Sequence, residues 1–98
     1  MANKITIKNL ENLCEHLNRI TGNPVSTMTR PSDSPHLKYN VGNYTLDNAY
    51  GGYKLVQIVG DGGAEKDVLE IGYVSKPVLY DAIHLFLKGY TTATRKIA

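Results

Sequence analysis

The residues Tyr44, Asp47, Tyr50, Tyr53 and Lys54 concentrate groups able to do chemistry within one short stretch of this 98-residue chain. Tyrosine joins a large apolar ring to a polar tip, so several on an open sheet face can stack nucleic-acid bases or anchor a protein partner. Tyr39 and Tyr73 also fall on strands or at strand ends. Tyrosine favours strands and fills cores as well, so core and platform both stay open for each ring. Asp47 has the functional group of a general base, although hydrogen bonding to turn amides is the plainer role for an aspartate in a hairpin.

The remaining chemistry is scattered. Gly60-Asp61-Gly62-Gly63 could turn backbone N–H groups toward an anion, but it lacks the lysine and hydroxyl residue that end a phosphate-binding loop, and Glu65 and Asp67 follow closely. A plain hairpin loop is the simpler reading. His16, His36 and His84 have no partners at metal-site spacing, and Cys14 and His16, two apart on a helix, point apart. Cys14 belongs to an apolar stripe and reads as a small buried residue rather than a nucleophile. Arg30, Lys38, Lys54, Lys76, Arg95 and Lys96 would contact phosphate if folding gathered them. The expectation is a protein without metal or cofactor, and not an enzyme.

Positioning these groups falls to a few short elements. Leu10, Leu13, Cys14, Leu17 and Ile20 recur at helical spacing, with Thr6 or Asn9 as cap and Gly22-Asn23-Pro24 as stop. Residues 23–36 carry three prolines and read as a long mobile loop. Leu37, Tyr39 and Val41 alternate as a first strand, and residues 44–50 form a second. The paired glycines Gly51-Gly52 make the turn, because glycine takes positive φ without steric cost. Residues 53–59 form a central third strand, apolar on both faces, and residues 68–73 a possible last one. Ser75-Lys76-Pro77 opens a final helix with Leu79, Ile83, Phe86 and Leu87 as its buried stripe and Gly89 as its end. The fold class is α+β: helix, three- to four-stranded antiparallel sheet, helix, with both helices on one sheet face. Residues 1–90 form the single domain, and 91–98 a basic flexible tail.

Bulk composition narrows the class of function. Apolar content of 42% with 20% charged residues is that of a globular chain. No apolar run approaches the roughly 20 residues of a spanning helix, and the first residues lack a signal-peptide centre. One cysteine excludes an internal disulfide and fits a reducing compartment, so the expected location is the cytosol. The net charge of +2 is polarised: −3 over residues 59–87 and +3 from Lys88 onward. Nucleic-acid binders usually show a concentrated basic stripe, and only the short tail has that character.

The helix–strands–helix order resembles the double-stranded RNA-binding domain in topology, although Ser75-Lys76-Pro77-Val78-Leu79 has one lysine where that family has a cluster. The chain is more similar to small accessory proteins of tailed bacteriophages and prophages. Leu10-Glu11-Asn12-Leu13 with Asn18-Arg19-Ile20-Thr21-Gly22 carries that resemblance, as do Gly42-Asn43-Tyr44, Ala49-Tyr50-Gly51-Gly52-Tyr53-Lys54-Leu55, Leu79-Tyr80 and Phe86-Leu87-Lys88-Gly89. It implies a non-enzymatic protein of the infected bacterial cytoplasm that occupies a host or phage machine, including defence complexes such as CRISPR effectors. The expected contact face is the tyrosine hairpin, with the loop around Arg30 as a second contact. The rival readings are a nucleic-acid-binding module and a structural homodimer or small virion component.

Overall fold

The computed structural model describes residues 4–29 and 38–97, with side chains placed through residue 93. Helix α1 spans Ile7–Thr21 and opens on a reciprocal cap. The Asn9 N–H donates to Thr6 Oγ1 at 3.2 Å, and the Thr6 N–H donates to Asn9 Oδ1 at 2.9 Å. Both candidate caps therefore act together. Gly22 closes the helix at φ 74°, where Gly22 and Asn23 donate back to the carbonyls of Arg19 and Asn18.

Strands β1 (Met28–Thr29) and β2 (Lys38–Tyr39) pair as a small separate ribbon. The first strand expected for the main sheet is thus diverted to a partner inside the long loop segment. Asn40 holds the ribbon through bonds from its side-chain amide to the Ser26 carbonyl and Thr29 Oγ1, each 2.8 Å. The main sheet is antiparallel and runs β3 (Tyr44–Ala49), β4 (Gly52–Ile58), β5 (Glu65–Asp67), with β4 central as its apolar composition requires. Strand β5 lies earlier than the 68–73 segment favoured by pattern. Glu70 at φ 56° and Gly72 at φ 74° interrupt extended backbone there, and Val68 and Leu69 pack on the core with one further bond to β4, from the Val68 N–H to the Leu55 carbonyl at 3.1 Å. The chain rejoins the sheet at a Tyr53–Val74 bridge.

The hairpin turn also differs from expectation. Ala49 pairs with Gly52, so Tyr50 and Gly51 are the two central residues, at φ 54° and 76°. Positive φ at both positions suits the right-handed twist of the flanking strands. Gly52 is needed inside β4 instead: a Cβ there would lie 3.1 Å from the backbone of Tyr73 and Val74.

Helix α2 covers Lys76–Ile97 and runs through Gly89, which costs a helix only about 1 kcal/mol relative to alanine. Leu10, Cys14 and Leu17 of α1 meet Leu79, Ile83 and Leu87 of α2 over Leu55 of β4, all buried. Leu46 and Tyr53, on the same sheet face as Leu55, pack against this cluster, so both helices cover one face. Val56 and Ile58 are buried on the other face, outside that cluster.

Candidate binding surface at the hairpin tip

Strand alternation divides the expected site. Tyr44 and Tyr53 turn toward the helices, whereas Asp47 and Lys54, cross-strand neighbours, turn to the opposite face. Tyr44 is half-buried and meets the Phe86 ring edge-on, with centroids 6.2 Å apart. Burial, and then the neighbouring Tyr90, raise its phenol pKa. Tyr53 packs on the core with the Lys76 ammonium 5.8 Å from its ring centroid. Both are positioned as structural rings with only part of their surface open. Arg30 lies outside the described residues.

Tyr73 completes the group on the opposite face. Its backbone and Cβ pack beside Gly52, where the missing Cβ leaves room, and three of the expected residues converge on its ring and hydroxyl. The Tyr73 hydroxyl donates to Asp47 Oδ2 at 2.6 Å, Lys54 Nζ lies 4.6 Å from the ring centroid, and Tyr50 meets the ring edge-on at 5.7 Å. Donation to the Asp47 carboxylate, followed by desolvation and the Asp47 charge, pushes the Tyr73 pKa up to about 12. The phenol therefore stays a donor at neutral pH and holds Asp47 in place. Only the long-range return of the chain brings Tyr73 here. The sequence signal for it was the second glycine of the pair, a position kept empty for a close neighbour.

Tyr50 itself is 95% exposed at the extreme of the hairpin. A tyrosine in the left-handed region is uncommon, because its Cβ crowds the following carbonyl at a cost of roughly 1–2 kcal/mol. The edge contact with Tyr73 is its described ring contact, and the rest of the ring faces solvent.

The other candidates resolve as structural features. The Gly60–Ala64 segment is a hairpin loop whose amides bond within it: Val59 and Gly60 donate to the Ala64 carbonyl and Gly63 to Gly60. The Tyr39 ring seats on Gly63, where a Cβ would come within 2.8 Å of it. Cys14 is buried, and desolvation, then the Glu11 charge, push its thiol up to about 12, which keeps it protonated. Among the described residues no group of three His, Cys, Asp or Glu could hold a metal, and no helix is long and apolar enough to cross a membrane.

Comparison with known proteins leaves this geometry to speak for itself: no family model, curated protein or solved structure matches the chain.

Proposed function

We propose that this protein works by binding, as a non-enzymatic phage-type accessory that docks on a host or phage protein complex through the tip of its β3–β4 hairpin. The observation that supports this reading best is Tyr50, an almost fully exposed aromatic held in a left-handed turn and braced by Tyr73. A rigid, solvent-facing tyrosine loses little entropy on docking and buries a large area, the character of an interface anchor. Asp47 and Lys54 place one charge of each sign beside it, suited to the polar rim of a protein contact. The resemblance of Ala49-Tyr50-Gly51-Gly52-Tyr53 to phage accessory proteins supplies the setting: the cytoplasm of an infected bacterium, where inhibition of a defence complex, CRISPR effectors included, is the role we assign.

The Asp47 carboxylate within the cluster disfavours phosphate, which sets the nucleic-acid reading behind this one. Capture of the tagged protein from phage-infected or expressing bacteria, with mass spectrometry of what co-purifies, tests the proposal. A discrete protein assembly is expected, and Tyr50→Ala should weaken it by about 2 kcal/mol or more. Recovery of nucleic acid alone, lost steeply with added salt, would replace this reading with the other.

A further inference from the structure

Strand β3 is an edge of the main sheet, and its outer side has no strand partner among the described residues. The direction of its backbone groups follows from two contacts. Ile58 donates its N–H to the Asn43 carbonyl at 2.9 Å, so Asn43, Thr45, Asp47 and Ala49 face β4. Tyr44, Leu46 and Asn48 therefore face outward. The outward pair of Tyr44 is taken by a side chain: its N–H donates to Asn18 Oδ1 at 2.7 Å, and Asn18 Nδ2 donates to its carbonyl at 3.0 Å. A primary amide presents the same donor and acceptor as a peptide unit. Asn18, fully buried, thus stands where one residue of an added strand would stand. The next two outward pairs, on Leu46 and Asn48, have no such partner among the described residues.

An open groove of about 550 Å³ runs in front of these groups, between β3 and α1. Ile7, Glu11, Cys14 and Asn18 form the helix wall, one stripe at helical spacing. Glu11 and Glu15 line the groove from α1 and no lysine or arginine does, whereas Asp47 borders it along β3 with its carboxylate turned to the opposite face. Arg19 pairs with Glu15 at 2.6 Å and Lys8 lies on the same helix, whereas Glu11 has no ion pair among the described residues.

We propose that this edge captures an extended, basic segment of a protein partner as a fourth strand beside β3. Main-chain bonds from Leu46 and Asn48 would continue the pairing that Asn18 begins, and alternate basic side chains would meet Glu11 and Glu15. A second copy of this chain fits worse, because pairing through the same edge would bring the two acidic walls together. This surface is separate from the Tyr50 tip, although Asp47 borders both.

The probe is an acetylated, amidated seven-residue peptide alternating valine with lysine, added to the ¹⁵N-labelled protein. The Leu46 and Asn48 amide signals should shift and become protected from exchange. The glutamate counterpart should bind at least about tenfold more weakly, and a backbone N-methylated lysine peptide likewise. Asn48→Pro removes one outward N–H without touching the ladder to β4, a substitution an edge strand tolerates, and should weaken binding about tenfold. Glu11→Lys should reverse the charge preference, which keeps the test decisive if Asn48→Pro perturbs the fold. Tyr50→Ala should leave the peptide affinity unchanged. The proposal is overturned by absent binding, by equal binding of both charge types, by indifference to N-methylation, or by a dimer in sedimentation that Asn48→Pro dissolves, since that assigns the edge to a second copy.

Discussion

The two ends of the β3–β4 hairpin are built on opposite rules. At the base, two buried asparagines grip the backbone: Asn18 takes both outward groups of Tyr44, and the Asn43 amide donates to the carbonyls of Pro24 and Val25 at 2.8 and 3.1 Å. Asn43 does this while its own Oδ1 is buried without a partner among the described residues, a penalty of about 1–3 kcal/mol accepted for the clamp. At the tip no side-chain amide grips the backbone among the described residues. A tyrosine sits in a strained turn, nearly all of its surface in water, steadied by one ring edge. The contrast separates support from contact: the base fixes where the hairpin points, and the tip keeps surface that serves no fold.

Substitutions should sort by end. Asn18→Leu keeps the volume but strands an N–H and a carbonyl, so unfolding in urea should show a loss of about 2–5 kcal/mol, the largest effect expected. Next, Gly52→Ala drives a Cβ into the Tyr73–Val74 backbone at 3.1 Å and should cost about 1–3 kcal/mol in the same assay. Tyr50→Asn should do the reverse. It places the Asn-Gly pair preferred in such turns and should hold or raise stability by up to about 1 kcal/mol while removing the anchor. A marked loss of stability in that variant would show that the ring supports the fold, and the contrast would collapse.

The smallest effect is a pH dependence. The Tyr73 pKa is raised from the ordinary 10 to about 12 by its bond to Asp47, so that bond contributes below pH 10 and is lost as pH rises through 12. Tm should therefore fall across that window in the wild-type protein and fall less in Tyr73→Phe. Phenolate absorbance should show late-titrating tyrosines, Tyr44 and Tyr73, of which Tyr73→Phe removes one.

Much of this was legible in the residues, for reasons that mark where it stopped. Helix α1 and its Gly22 stop follow from local spacing and capping, and the hairpin from alternation around glycine. Asp47, Tyr50 and Lys54 fall near one another, and their closeness follows from strand register and a two-residue turn, which are local properties. Which tyrosines face inward depends on where the helices lie, so the residues alone leave core and platform open for Tyr44 and Tyr53, and the fold packs both on the core. The paired glycines point to a turn one residue later than the true one, because Gly52 answers to Tyr73, about twenty positions away in sequence, and not to the turn. The same distance in sequence hides the place of Tyr73 in the cluster. Helix α2 passes Gly89 because packing of Leu87 and the turns around it outweighs a single glycine.

The most direct test is photocrosslinking inside the bacterium with benzoylphenylalanine placed at position 50 and, separately, at position 85, where Leu85 is 70% exposed on α2. A discrete covalent adduct with one protein from position 50, and none from position 85, is the result predicted. Equal labelling from both positions, or adducts from position 85 alone, would contradict a docking site at the hairpin tip.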